Sequence, residues 1–231
     1  MSSARTIGPL TGRGQLAFYH FVRGVLVALC YLLFRTRVTG RERLPVSGPY
    51  ILAPTHRSLF DIPLASTVTR RPIRFMGKQE LWATALGAWL FSALGGFPVD
   101  RSAGTGAVRA ALARLSDGEP VVVFPEGTRR SGPRVEDLQD GAAFLAVKAG
   151  VPIVPVGIAG TEEILPSGKV ALHPHKVAVV VGDPLVPAPG TSSGAARKQE
   201  MQTLTSALEA SLQRLFDEAG AQVAPAIVPG P

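Results

Sequence analysis

Six short apolar runs, separated by stretches with helical periodicity, constrain the fold of this chain more than any other feature. The candidate strands are 38–39, 50–54, 73–76, 121–124, 153–158 and 177–181. These runs are continuously apolar rather than alternating, which is typical of strands in a sheet that helices cover on both faces. Hydrophobic residues make up 46% of the 231 residues, enough for one large core. We therefore predict an α/β fold: a single domain with a central, mostly parallel sheet flanked by helices.

Helical patterns fall between and after the candidate strands. The predicted helices are 80–94, 103–115, 138–149 and 201–219. Together with the strands they predict a folded domain at residues 38–219. Residues 1–13 and the Ala- and Pro-rich residues 220–231 are expected to be disordered. The single cysteine, Cys30, excludes an internal disulfide framework and a multi-cysteine metal site.

A 19-residue stretch near the N-terminus, 16–34, is apolar apart from His20 and Arg23. It is long enough to cross a bilayer, and we predict a membrane-associated helix at residues 14–37. Arg23 at the helix centre costs about 2.5–3.5 kcal/mol, whereas each Leu, Val or Phe returns about 0.3–0.6 kcal/mol. The net free energy of inserting this helix into the bilayer is therefore close to zero. Three arrangements stay open: a single span, a helix lying in the interface, and a core helix of a soluble domain.

The charge distribution indicates a membrane partner. Residues 1–78 carry 12 Lys and Arg against 2 Asp and Glu, whereas the remainder carries 12 against 15. A basic half fits nucleic acid or an anionic membrane surface. No nucleic-acid motif occurs and the basic residues flank the apolar helix, so we predict an anionic membrane surface and no nucleic acid.

Four arginines follow the apolar stretch, as cytoplasmic flanks of membrane helices do. They are Arg35, Arg37, Arg41 and Arg43. This pattern predicts a protein on the cytoplasmic face of the cell membrane, either peripheral and monotopic or single-pass. We expect removal of residues 1–34 to release a domain that keeps the rest of the chain.

A histidine and an aspartate follow the strand at 50–54. His56 and Asp61 are separated by four residues at a predicted strand-to-helix turn. The carboxylate can accept a hydrogen bond from one imidazole nitrogen, which fixes the tautomer and leaves the other nitrogen to act as a general base. The same pattern also describes an Asp that caps a helix beside a hydrogen-bonded His. The pair alone therefore does not decide the function.

Two further segments stand at predicted strand ends or turns. In segment 95–101 the glycines allow close backbone approach, and Arg101 can clamp a phosphate with two hydrogen bonds. A surface Arg after a short strand is the alternative for this segment. Segment 151–157 has no titratable group, and we predict that it shapes the core and a pocket wall.

Segment 124–131 follows the strand at 121–124 directly. Glu126 can bind hydroxyl groups, Arg129 can bind phosphate, and Gly127 and Thr128 offer a turn with exposed backbone N–H groups. A charged cluster at the carboxyl end of a buried strand is where ligand sites of α/β proteins form. This segment therefore predicts a binding site rather than a solvated turn.

Four ordered blocks, within roughly residues 38–185, resemble those of the lysophospholipid acyltransferase family, best known for the 1-acyl-glycerol-3-phosphate acyltransferases. The blocks are His56-x4-Asp61, Gly96-x4-Arg101, 124–131 and 151–156. The resemblance implies that His56 is the base and that Asp61 supports it. It also implies acceptor contacts from Arg101 and from the segment Glu126, Gly127, Thr128 and Arg129, with Lys78 as a weaker phosphate ligand.

The resemblance implies transfer of an acyl group from acyl-CoA or an acyl-carrier protein to a lysophospholipid hydroxyl. The expected acceptor is 1-acyl-glycerol-3-phosphate, giving phosphatidic acid, with no metal and no cofactor beyond the acyl donor. The chain departs from the family pattern at Thr55, where Asn is usual, at an additional Arg130, and at Asp140, where Lys is common. Thr55 and Asp140 leave another lysophospholipid or a glycolipid open as acceptor.

Two other classes of function stay open from the sequence. A lipid hydrolase or transacylase would need a Ser nucleophile in an elbow directly after a strand, and no predicted strand is followed by one. Ser58 inside the first block is the remaining candidate nucleophile. The other class is a non-enzymatic, membrane-bound lipid-binding protein, which the intact His56, Asp61 and Glu126 disfavour.

Overall fold

The computed structural model describes residues 12–99, 105–164, 173–189 and 194–224. These residues form one seven-stranded sheet with helices on both faces. The strands are β1 (Arg37–Thr39), β2 (Ile51–Pro54), β3 (Arg74–Lys78), β4 (Gly96–Val99), β5 (Val121–Val122), β6 (Ile153–Ala159) and β7 (Ala178–Val181). The predicted α/β class with a central sheet is confirmed.

The strand order is β1-β7-β6-β2-β5-β3-β4, and only the β6–β7 pair is antiparallel. The five strands from β6 to β4 therefore run the same way, and their carboxyl ends share one edge of the sheet. Every residue of β2 and β6 is buried, as expected of central strands that are covered on both faces. The predicted parallel character is confirmed.

Helices cover the two faces of the sheet and form two hydrophobic clusters. The helices are α1 (Arg13–Phe34), α2 (Asp61–Ala65), α3 (Ala85–Ala93), α4 (Thr105–Ser116), α5 (Gly141–Ala149), α6 (Thr161–Ile164) and α7 (Gly194–Val223). Leu52 faces the cluster that contains Phe34 of α1 and Leu64 of α2. Ile51 faces the opposite cluster, with Leu145 of α5 and Leu208 of α7 among its members. Adjacent strand residues thus alternate between two cores.

Two elements differ from the prediction because of local backbone chemistry. The predicted helix 80–94 is divided into a 3₁₀ turn, Gln79–Trp82, and α3, which starts after Thr84. The Thr84 hydroxyl accepts a hydrogen bond from Gly87 N–H at 3.0 Å and so caps the new helix. Strand β4 was absent from the candidate strands, because its Gly and Pro residues are poor strand formers; Pro98 is tolerated in this edge strand.

The predicted boundaries near both ends need correction. Helix α1 begins at Arg13 and ends at Phe34, and Arg37 is already the first residue of β1, so the predicted helix 14–37 is too long. At the other end α7 continues to Val223, so residues 220–223 are helical rather than part of a disordered tail. Residues 1–11 and 225–231 lie outside the described part of the chain.

Helix α1 is fastened to the domain along one side. The Arg23 guanidinium donates to the carbonyl oxygens of Ser66, at 2.8 Å, and Thr69. The Tyr19 hydroxyl accepts a hydrogen bond from Ile73 N–H at 3.2 Å. The α1 side chains buried in the domain are Tyr19, Cys30 and Phe34. Removal of residues 1–34 would uncover core residues of the domain. Whether it releases a domain that keeps the rest of the chain stays a prediction.

Candidate active site

His56 lies in the turn after β2, and Asp61 is the first residue of α2. The His56 Nδ1 atom is 3.1 Å from Asp61 Oδ2, and the His56 ring stacks on Phe124 with 4.1 Å between ring centroids. The Asp61 side chain is fully buried, whereas the His56 side chain is 14% exposed. Pairing at Nδ1 leaves Nε2 as the imidazole nitrogen that can take a proton from a substrate.

The turn holds its shape because Asp61 has two roles. Its Oδ2 atom accepts hydrogen bonds from the backbone N–H groups of Arg57 and Ser58, each at 2.6 Å. These bonds orient the carboxylate at the start of α2, and the same oxygen faces the imidazole. Asp61 therefore orders the turn and supports His56 with one oxygen, but it does not cap α2, because the N–H groups that it binds precede the helix.

Glu126 lies beneath the same turn, four residues after the end of β5. Its Oε1 atom accepts a hydrogen bond from His56 N–H at 2.7 Å, and its Oε2 atom forms an ion pair with Arg57 Nη1. The second guanidinium nitrogen of Arg57 donates to Arg134 O at 2.7 Å. In the structure Glu126 thus has two protein partners, whereas the sequence predicted that it binds a hydroxyl group of the acceptor.

The residues after Glu126 turn outward. Gly127 has φ = 68°, a left-handed conformation that glycine adopts without strain. Gly127, Thr128 and Arg129 are all exposed. Arg130 N–H donates to His56 O at 2.9 Å, which ties this segment to the His56 turn. The turn therefore presents the Arg129 side chain to solvent next to the His56 and Asp61 pair, where it can meet an anionic ligand.

A model of the acyltransferase family matches residues 35–159, which is more than half of the chain and includes every element described at this site. The chain belongs to the acyltransferase family. The predicted resemblance to acyltransferases with the His-x4-Asp block is confirmed.

Two relatives of this chain are named as 1-acyl-sn-glycerol-3-phosphate acyltransferases. The chain is 28% identical over 182 residues to the chloroplastic 1-acyl-sn-glycerol-3-phosphate acyltransferase BAT2 of Brassica napus, covering 76% of the chain but only 53% of that protein. It is 29% identical over 201 residues to the 1-acyl-sn-glycerol-3-phosphate acyltransferase of Bacillus subtilis, covering 85% and 96%.

A solved structure resembles the whole domain. It is the crystal structure of the 1-acyl-sn-glycerophosphate acyltransferase PlsC from Thermotoga maritima, with a TM-score of 0.71 and 27% sequence identity. The similarity covers 94% of this chain and 87% of that one. The fold of this chain is therefore shared over nearly its full length.

One of the two further predicted phosphate ligands belongs to a neighbouring strand. Lys78 is the last residue of β3 and pairs with Val99, the last residue of β4. Both strands are parallel to their neighbours and end at the edge that carries His56. Arg101 lies outside the described residues. The roles of Lys78 and Arg101 at the acceptor phosphate stay predictions.

Thr55 and Ser58 have structural partners. Thr55 Oγ1 accepts from Ile158 N–H at 2.9 Å and donates to Ile158 O at 3.2 Å, which joins the end of β2 to β6. Ser58 is 2% exposed, and its Oγ atom lies 3.5 Å from Phe60 N. The geometry therefore gives Thr55 a role in the sheet and does not present Ser58 as a nucleophile.

Arg57 is the residue at this site that sequence analysis missed. It lies inside the His-x4-Asp block and pairs with Glu126 in a block 69 residues later. An arginine beside the histidine and a glutamate at the end of a second buried strand are the only signal of the pair in the sequence. That signal becomes specific only when β2 and β5 are known to be neighbours.

Proposed function

We propose that this chain is an O-acyltransferase that moves a fatty acyl group from an acyl thioester to the free hydroxyl of a lysophospholipid. The acceptor favoured is 1-acyl-glycerol-3-phosphate, with phosphatidic acid as product, and acyl-CoA or an acyl-carrier protein is the donor. The observation that carries the proposal is the 3.1 Å contact between His56 Nδ1 and Asp61 Oδ2 at the carboxyl edge of the sheet. The names of the Bacillus subtilis and Thermotoga maritima relatives support it.

The reaction needs one proton transfer and one acyl transfer. His56 Nε2 takes the proton from the acceptor hydroxyl while the oxygen attacks the thioester carbonyl. Asp61 stabilises the imidazolium that forms. A C–O bond replaces the C–S bond, and the proton passes from His56 to the departing thiolate. The chemistry requires neither an acyl-enzyme nor a metal.

The acceptor phosphate is proposed to meet arginine. The exposed Arg129 side chain is supported for this role by its place in the turn that is tied to His56 through Arg130. Guanidinium groups bind phosphate with two parallel hydrogen bonds. Lys78, the last residue of β3, and Arg101, which lies outside the described residues, are the further cations proposed for the acceptor.

A lipid-facing surface is proposed for α1 and α3. Within the described residues, α1 is the one helix long and apolar enough to cross a membrane. Its exposed apolar side chains recur at intervals of three and four residues, along one side of the helix. They are Phe21, Val25, Leu29, Leu32 and Leu33, and those of α3 are Leu86 and Trp89. The Phe18 and Trp89 rings, 4.9 Å apart, join the two helices into one surface.

This surface favours a monotopic arrangement over a span. One side of α1 is packed on the domain through Arg23 and three buried side chains, so only the opposite side is available to lipid. A helix that packs on protein along one side and is apolar on its outer side lies in the interface plane. The exposed Arg35 and Arg37 beside it are supported as contacts to an anionic leaflet on the cytoplasmic side.

One assay separates the proposed activity from its alternatives. Purified protein is given acyl-CoA or an acyl-carrier protein together with lysolipids of different head groups, and free thiol and lipid products are measured by mass spectrometry. A transferase releases thiol only when an acceptor is present, whereas a hydrolase releases it without one. A lipid-binding protein releases none, and that result would refute the proposed function.

A further inference from the structure

We propose that Glu126 and Arg57 form a positioning pair that fixes the backbone of His56, and that Glu126 does not bind the acceptor. The proposal deepens the acyl-transfer function proposed above and rests on it. It assigns the glutamate a role in holding the base at its working distance from Asp61. It also adds Arg57, which has no role in the mechanism so far.

Burial is the first reason. The Glu126 side chain has no exposed surface, and the Arg57 side chain is 1% exposed. Both carboxylate oxygens already have protein partners, namely His56 N–H and the Arg57 guanidinium. An acceptor hydroxyl could reach Glu126 only if the turn above it moved away, and that movement would displace His56 itself.

The hydrogen bonds of the turn are the second reason. Glu126 accepts a hydrogen bond from His56 N–H, and Asp61 accepts hydrogen bonds from the N–H groups of Arg57 and Ser58. Arg130 N–H donates to the carbonyl of His56. The backbone of the histidine is thus held on both sides, which leaves the imidazole to reach Asp61 at 3.1 Å. Releasing one carboxylate frees half of this support.

Arg57 extends the support to the rest of the domain. Its guanidinium donates to Arg134 O and lies over the Phe216 ring, 4.9 Å from the centroid. Phe216 belongs to α7, which packs along β6. The pair therefore connects the His56 turn to the longest described helix. A guanidinium suits this place because it binds a carboxylate, a carbonyl and a ring face at once.

The buried charges determine which variants test the pair. Removing one partner leaves a buried charge without its counter-ion, whereas removing both leaves two neutral polar groups. Glu126→Gln and Arg57→Gln should each displace the turn, and the double variant Arg57→Gln with Glu126→Gln should displace it less. Gln at position 126 keeps an oxygen that can accept the hydrogen bond from His56 N–H.

The kinetic experiment compares these three variants with the wild-type chain in the acyl-transfer assay. A base displaced by a fraction of an ångström to 1 Å loses about 100-fold in rate, so each single variant should lower kcat by about 100-fold. The acceptor KM should stay unchanged, because the pair does not touch the acceptor. The double variant should regain about tenfold over either single variant.

A second Arg–Glu pair, in which the arginine is buried and the glutamate partly buried, supplies the matched control. Arg74, the first residue of β3, donates to Glu119 at 2.8 and 2.6 Å, at the edge of the sheet opposite His56. Glu119→Gln makes the same chemical change in a similar setting. It should lower the melting temperature but leave the kcat of the folded protein unchanged.

A readout without substrate separates this proposal from the proposed function. The ¹⁵N shifts of the His56 ring report which nitrogen carries the proton. We expect one tautomer, protonated at Nδ1, in the wild-type chain and in Glu119→Gln. Each single variant should show a mixture, and the double variant should move back toward one tautomer. This result stands whether or not the wild-type chain transfers acyl groups.

Three results would overturn the positioning pair. One is a rise in acceptor KM with kcat unchanged in Glu126→Gln, which would make Glu126 an acceptor ligand. Another is a fold loss of kcat in the double variant that equals the product of the fold losses in the two single variants, which would make the residues independent. The third is a single tautomer in all variants. Should a single variant fail to fold, the double variant and its ring shifts decide between these outcomes.

Discussion

His56 and Asp61 form the part of the site on which the chemistry depends most directly. His56→Ala should abolish acyl transfer and leave the fold intact, because the imidazole is partly exposed and no described backbone hydrogen bond depends on it.

Asp61→Asn should lower kcat by about 10⁴-fold, because a neutral amide supports the wrong tautomer. Asn still offers an oxygen to the N–H groups of Arg57 and Ser58. Thiol release and circular dichroism measure both effects; substantial turnover by a clean His56→Ala preparation would refute the mechanism.

A different kinetic effect is expected when an arginine proposed to bind the acceptor phosphate is removed. Arg129→Ala should raise the acceptor KM more than the donor KM, because it removes a cation proposed to pair with phosphate. Arg101→Ala should act in the same direction if the sequence-based role is correct. Arg214→Ala, an exposed arginine on α7, is the matched control and should change neither constant. An Arg129→Ala variant whose acyl-CoA KM alone rises would assign that arginine to the donor.

Contacts between residues that are close in the chain were predictable from the sequence. His56 and Asp61 are five positions apart, so a turn and a helix start are enough to bring them together. The Arg57 partner lies 69 residues away on another strand, and only the order of the sheet determines that they meet. The role of Glu126 was therefore predicted from its chemistry alone, without the arginine that fills its surroundings.

At the scale of elements, a glycine in β6 marks the place where α7 packs closely on the sheet. A Cβ atom at Gly157 of β6 would lie 2.3 Å from the carbonyl carbon of Leu215, which is backbone and cannot rotate away. Gly157→Ala should therefore lower the free energy of unfolding by about 1–3 kcal/mol or more. Urea denaturation in a mild detergent measures the change. An unaltered midpoint would mean that α7 does not pack on β6 at this distance.

A second glycine tests where α7 ends. Gly220 has open space around its Cα atom and lies inside the helix, whereas the sequence predicted a disordered tail from this position. Gly220→Ala should raise the free energy of unfolding by about 0.5–1 kcal/mol, because alanine loses less backbone entropy in a helix. The same denaturation experiment measures it. A tail without helix at this position would give no stabilisation.

Element types were predictable here because their hydrophobic patterns are long or strong. The continuous apolar runs predicted β2 and β6, and both are buried along their whole length. Strand β4 gave no such pattern, because Gly96 and Pro98 occupy half of its four residues. Its pairing with β3, from Phe75 with Gly96 onward, comes from the tertiary structure rather than from local propensity.

At the scale of the whole molecule, α1 belongs to the domain and to the proposed lipid-facing surface at once. The sequence could give its length and apolarity, but not which side would face the protein. The bonds of Arg23 to two carbonyl groups of the domain decide that, and they explain how an arginine is tolerated in the middle of an apolar helix. Deleting the helix would therefore test folding and membrane binding together, and substitutions on its outer side are the sharper experiment.

The outer side of α1 leads to the prediction for membrane binding. Phe21 and Leu32 are 69% and 77% exposed, and burying such a side chain in lipid is worth about 1.5–3 kcal/mol. Phe21→Ser with Leu32→Ser should therefore lower partitioning into vesicles containing anionic lipid by about tenfold or more for each substitution. High salt should weaken the binding of this variant further, because the remaining attraction comes from exposed arginines.

Val186→Ser is the matched control for this loss of exposed apolar surface. Val186 is 71% exposed and lies between β7 and α7, beside the bridge of Leu185 to the first residue of β6, at the edge away from His56. It should sediment with vesicles like the wild-type chain.

The α1 double variant should keep its activity on dispersed short-chain lysolipid and lose most of its activity on lysolipid embedded in a bilayer, because only the second substrate requires docking. An α1 variant that sediments like the wild-type chain in high salt would move the membrane contact from α1 to the exposed side of α3.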